Sequence, residues 1–179
     1  ASKKYMDVAI TSGRVGEGST QIFAQNRLVV IFPKENPANL QSLQDLGKEG
    51  MKLVLADASV PVGQYALDFM DKAMKAPGYD PQFKDQVLQN VVSYETDVKA
   101  VLAKVTLGEA DAGIAYVTDI TPRAAEKVGR LDISDELNTF AAYPIAVIAD
   151  SAHTDLGNAF LALVLSPEGQ QVLGKYGFI

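Results

Sequence analysis

The sequence predicts an α/β fold. Short apolar runs rich in β-branched residues alternate with longer stretches of helical spacing. Those runs lack polar alternation, as strands buried on both faces do. Proline, glycine and capping residues punctuate the junctions between them.

Taken in order, a first helix runs to about Ile10, with Ser2 as its cap and Gly13 as its stop. Leu28–Phe32 (LVVIF) is a buried strand ended by Pro33. Asn39 caps a short helix over Leu40–Leu46, stopped near Gly47 and Gly50. Lys52–Ala56 is a second strand, and a helix follows from Pro61 to Lys75. Pro77, Gly78 and Pro81 form a loop before a helix over Gln82–Gln89. Val91–Tyr94 is a short strand, and the helix from Asp97 to Leu107 closes at Gly108. Ala112–Tyr116 is the next strand, Asp119–Val128 a short helix, and Tyr143–Ile148 another β-rich run. Two helices end the chain: Thr154–Leu165, then Pro167–Tyr176 with Ser166 as cap and Gly177 as stop.

The 179 residues suit one large domain or two small lobes. With 47% hydrophobic and 21% charged residues, the chain is globular rather than disordered. The longest apolar run, Ala159–Leu165, is too short to span a bilayer. No charged-then-apolar targeting pattern opens the chain, and Ala1 reads as a trimmed or engineered start. A net charge of −6 without a basic, aromatic-interleaved stripe argues against a nucleic-acid partner. Lys3, Lys4, Lys72 and Lys75 read as solvated helix faces. The lack of cysteine excludes disulfides, thiolate catalysis and sulfur-bound metals. His153 is the only histidine, which excludes a histidine metal cluster or a serine–histidine–aspartate triad. The glycines of Gly13–Gly18 stand at the wrong intervals for a phosphate loop. No nucleophile–base pair emerges, and an enzyme built on Tyr116 with Asp97 or Glu95 finds no support.

Two strand-to-helix junctions share a design. In Ala58–Tyr65, Pro61 suits the first helical position, and Val62 then offers an N–H that the helix cannot satisfy. Gly63 adds no side chain to obstruct a close approach. In Tyr94–Lys99, Thr96 caps and Val98 offers a similar N–H, although the Asp97 carboxylate repels an anion unless it points away. Free N–H groups and the helix dipole attract anions, and such ends follow strand C-termini, where open sheets hold ligands. Tyr116, at the end of a buried strand, could donate its hydroxyl to an oxygen in a cleft. On the residues alone, each junction is more readily an ordinary helix start, and Tyr116 more readily a core or rim tyrosine.

Together the stretches Val60–Ala66, Glu95–Val98, Gly113–Asp119, Tyr143–Val147 and Lys175–Phe178 resemble the periplasmic molybdate-binding proteins of bacterial ABC importers. The resemblance spans nearly the whole chain in order. It implies a type II periplasmic-binding-protein fold: two α/β lobes, two crossing strands, and an oxyanion held between the lobes by N–H and O–H donors. It implies partial lobe I in residues 1–25 and 144–179, and lobe II in 26–143. Carried over by position, the donors are the Val62 and Val98 amides and the Tyr116 hydroxyl, touching molybdate or tungstate oxygens with no direct metal ligand. Position 62 is more often alanine in that family. The family's further N-terminal segment, with its two serine ligands, has no counterpart here, and Ser2, Ser12 and Ser19 do not replace it.

Further implications are an ABC permease partner, no cofactor, and a periplasmic or extracellular place with or without a lipid anchor. An open sheet edge in the incomplete lobe invites a homodimer. No acidic residue adjoins Val62, and Ala115 precedes Tyr116, which favours a donor-only tetrahedral site over one wrapped in carboxylates. Two alternatives share the architecture: the effector domain of a transcription regulator, and a binding protein for another oxyanion such as sulfate.

Overall fold

The computed structural model describes residues 3–179. It is α/β, and the chain divides into two compact units: Ala1–Asn26 with Phe140–Ile179, and Arg27–Thr139.

The larger unit is built on a five-stranded sheet of β2 (Leu28–Pro33), β3 (Leu53–Ala56), β4 (Val91–Glu95), β5 (Ala112–Tyr116) and β6 (Val128–Asp132). Their order is β4-β3-β5-β2-β6. Strand β3 pairs in parallel with both β4 and β5, whereas β2 runs antiparallel to β5 and β6. Helices α2 (Pro61–Ala73), α3 (Phe83–Gln89) and α4 (Val98–Thr106) pack around the central strands. The buried centre is Leu28–Ile31, Leu53–Ala56, Phe69, Met70, Phe83, Val101, Val105 and Ile114. Phe83 meets Phe69 and Tyr79 edge-on at centroid distances of 6.2 and 5.0 Å, a favoured aromatic geometry.

The smaller unit holds β1 (Gln21–Asn26) and β7 (Ala141–Ile145), paired antiparallel, with α1 (Lys3–Thr11), α6 (Thr154–Leu165) and α7 (Pro167–Lys175). Tyr143 joins Phe23 and Phe178 through ring contacts at 6.3 and 5.6 Å. Ile179 exchanges backbone hydrogen bonds with Gln25 on β1. Ser166 caps α7 by accepting from Gly169 N–H at 3.2 Å. This unit buries few apolar residues: Met6, Val15, Ala24 and Ala141. Helix α6 buries none of its residues, and Leu156, Phe160 and Leu163 stand exposed.

Ser2 lies outside the described residues. Asn39 caps no helix: it takes a left-handed φ of 52°, and Leu43–Gly47 forms a 3-10 turn after Ser42. The Asn36 side chain holds Leu40 there, donating to its C=O at 2.9 Å and accepting its N–H at 2.8 Å. The helix read over Asp119–Val128 shrinks to α5 (Pro122–Ala125), and Val128 instead opens β6. β1 and β6 escaped the sequence reading because each carries only two or three apolar residues among polar ones.

Asn138 anchors the point where the chain leaves the larger unit. Its buried side chain accepts from Leu28 N–H at 3.0 Å and Thr139 N–H at 2.9 Å. It donates to the carbonyls of Leu28 at 2.9 Å and Ile133 at 3.2 Å. Lys72 adds a bond from its ammonium to the Asn138 carbonyl. Both chain crossings between units, at Leu28 and Thr139, are thereby tied to one amide. Replacing Asn138 by alanine strands the buried Leu28 backbone groups, and an equilibrium urea titration should record a loss of about 2–4 kcal/mol. A loss below about 0.5 kcal/mol would deny the anchor its role. The exposed α6 face predicts that the 179-residue chain alone self-associates as its concentration rises; sedimentation velocity of a persistent monomer would contradict that.

Candidate functional site

The three predicted donors belong to one edge of one sheet. Ala56 pairs with Glu95, and the Asp57 N–H continues the ladder to the Glu95 carbonyl at 2.8 Å. Strand β3 pairs in parallel with β5 through Leu53–Ala112 and Val54–Gly113, so both strands run towards the same end of the sheet, which Tyr116 terminates on β5. The C-terminal ends of β4, β3 and β5 are therefore adjacent, with neighbouring strands spaced about 4.8 Å apart. Helix α2 leaves the middle strand's end and α4 leaves the outer one, while Tyr116 terminates the third.

Helix α2 starts as the residues foretold: Val60 is its N-cap in extended conformation and Pro61 its first residue. The Gly63 and Gln64 amides both turn back to the Val60 carbonyl, at 3.1 and 3.2 Å. The Val62 amide has no hydrogen-bond partner among the described residues. Val62 is 4% exposed and its side chain belongs to the core. The reason for Gly63 also differs from the reading above. A Cβ there would lie 2.2 Å from the Asp57 carbonyl and 2.5 Å from that of Ala56. Glycine lets α2 start directly against the end of its own strand.

Helix α4 starts one residue later than expected. Asp97, not Thr96, is the N-cap: its Oδ1 accepts from the Lys99 amide at 2.8 Å and the Ala100 amide at 3.0 Å. That carboxylate takes up two first-turn donors and part of the helix dipole. The Val98 amide, at the first helical position, remains without a hydrogen-bond partner among the described residues. Gly113 lets the two layers meet, since a Cβ there would approach Val101 Cγ1 to 2.8 Å.

Carboxylates line the same edge. Asp57 Oδ1 accepts from Ser59 N–H at 2.8 Å, and hydrogen bonds from Ser59 hold its pKa below the ordinary value. Glu95 is likewise held low, first by the Lys104 ammonium at 2.6 Å and then by the Ser93 hydroxyl. Asp119 behaves oppositely. Burial raises its pKa, against the Tyr116 amide, which donates to its Oδ2 at 3.0 Å, and the charge of Lys99. Asp119 thus fixes the backbone of Tyr116, a role the sequence reading did not assign. The signal was present in the three-residue spacing from Tyr116 to a carboxylate, as in a capping turn.

Because its folded pKa is raised, the protonated Asp119 fits the fold better. Its contribution to stability is full below the ordinary aspartate pKa and is lost as pH rises through the raised value. Asp119→Asn keeps an acceptor for the Tyr116 amide and cannot ionise. Relative to that variant, the parent should be most stable in acid and lose ground towards neutral pH. Denaturant midpoints over a pH series check this; a parent that gains on the variant with rising pH would refute it.

The bacterial extracellular solute-binding protein family model matches residues 1–179. The molybdate-binding protein of Mycobacterium tuberculosis is 31% identical over 178 residues, covering 99% of this chain and 63% of its own length. The chain thus spans under two thirds of the curated relatives it matches. A substrate-binding domain from Clostridium difficile, assigned to a molybdenum ABC transporter, superposes with a TM-score of 0.81 at 26% identity, covering 99% of this chain and 73% of that one. The periplasmic molybdate-binding protein of Azotobacter vinelandii gives a TM-score of 0.75 at 16% identity, covering 100% and 75%. The fold is that of the type II periplasmic binding proteins. The chain belongs to the bacterial extracellular solute-binding protein family.

Proposed function

We propose that this chain is the solute-binding component of an ABC importer for molybdate. The observation that carries the reading is the pair of unsatisfied amides, Val62 and Val98, at helix starts beside neighbouring parallel strands. Tyr116 ends the third strand of the same set. The 31% identity to a mycobacterial protein named for molybdate binding supports the choice of ion.

The chemistry of the donors agrees with that ion. Molybdate at neutral pH is a tetrahedral dianion without a proton. A site of N–H and O–H donors satisfies it, whereas a partly protonated phosphate brings a donor that finds no acceptor, at a cost of about 1–3 kcal/mol. Several backbone dipoles share the charge without a formal cation. Sulfate carries the same charge and offers no proton either, so its exclusion falls to cavity size. Tungstate nearly matches molybdate, and the two should compete. The Asp97 charge opposes the ion, which sets the burden of binding on the amides and the phenol. A permease in the membrane then receives the loaded protein.

Calorimetric titration of the full-length gene product tests the reading: molybdate should bind, tungstate should displace it, and phosphate should not. Two variants test the named donors. Val98→Pro removes one N–H at the helix position where proline fits best, after an Asp97 backbone already extended at ψ 165°. Tyr116→Phe removes one hydroxyl. Each should weaken molybdate binding by roughly ten- to a hundredfold with little change in circular dichroism. Unchanged affinity in both would remove these residues from the site.

A further inference from the structure

A recess lies on the larger unit, between α4 and α5. It has a volume of about 370 Å³. Its floor and walls are mainly apolar: Leu102 and Ala103 on one face of α4, Leu107 at the C-cap of that helix, and Ala124 on α5. Lys99, Arg123 and Lys127 stand around it, and no lining residue is acidic. Spacings of three, four and eight residues put Lys99, Leu102, Ala103 and Leu107 along one side of the helix.

Two features set this groove apart from ordinary surface. Leu107 is 71% exposed although the helix buries Val101 and Val105 on its other side. Neither Arg123 nor Lys127 joins an ion pair among the described residues, in a chain with 22 acidic against 16 basic residues. Unpaired charge of the minority sign around exposed apolar area is the pattern of a contact surface: an apolar centre excludes water and a charged rim selects the partner.

We propose that this groove docks an acidic, amphipathic protein segment of the kind a transporter's membrane subunit could present. The solute-binding reading enters only in the choice of that partner. Charge complementarity favours an acidic protein segment, whose carboxylates can flank an apolar ridge and meet Arg123 and Lys127 beside the exposed Leu107. An apolar floor also suits a side-chain ridge better than a small oxyanion, which needs converging donors.

The test uses a fluorescent synthetic helix of glutamate and leucine, with a lysine-for-glutamate twin as control. Anisotropy should show saturable, salt-sensitive binding of the acidic helix and none of the basic twin. Amide resonances of Leu102, Ala103, Leu107 and Ala124 should shift on binding. Arg123→Glu with Lys127→Glu, and separately Leu107→Ser, should each weaken binding by roughly tenfold. Equal binding by both variants, or shifts produced by phosphatidylglycerol vesicles and not by the peptide, would overturn the proposal. Molybdate titration of the same variants separates the two readings. Parent-like molybdate binding with lost peptide binding supports both. Lost peptide binding where even the parent takes no molybdate leaves the groove standing and removes the oxyanion site.

Discussion

The parallel pairing of β3 with both β4 and β5 is the constraint from which the rest of the larger unit follows. Parallel strands cannot be joined by tight turns, so each must hand the chain to a crossover segment. Here those crossovers carry α2, α3 and α4, and they force two helix starts and one strand end onto the same edge. The ladder through Asp57 and Glu95 keeps those ends level. A helix start at that edge leaves amides that its own turns cannot satisfy.

Close approach is the second requirement, and glycine supplies it twice. Gly63 lets α2 begin against the carbonyls of Ala56 and Asp57, and Gly113 lets α4 settle onto β5 beside Val101. Both lie in stretches that also carry predicted donors. Their small size serves the packing of the unit itself, which then sets where Val62 and Val98 stand. Asp97 and Asp119 complete the edge electrostatically. One carboxylate caps a helix in the open, and the other, half-buried, holds the Tyr116 amide.

The two units differ in how well they satisfy themselves. The larger one surrounds its sheet with apolar residues and ties its exits through Asn138. Among its described residues the smaller one has two strands, few buried side chains and an apolar helix face open to water. A two-stranded sheet is marginal by itself.

Periodicity and punctuation by themselves determined the alternating elements, the buried strands Leu28–Phe32, Lys52–Ala56 and Ala112–Tyr116, and the proline-led start of α2, because those are local properties of the chain. The same local rules found Val62 and Val98 as amides lacking a partner. They misplaced the cap of α4, since Thr96 and Asp97 are both good caps and only the backbone's path decides between them. They missed β1 and β6, whose polar composition becomes strand only through pairing with β7 and β2. Only the tertiary structure decided that β3 sits between β4 and β5, that Gly63 answers to its own strand, and that Asp119 grips Tyr116. Each of those depends on which distant segments become neighbours, a choice made by the whole core.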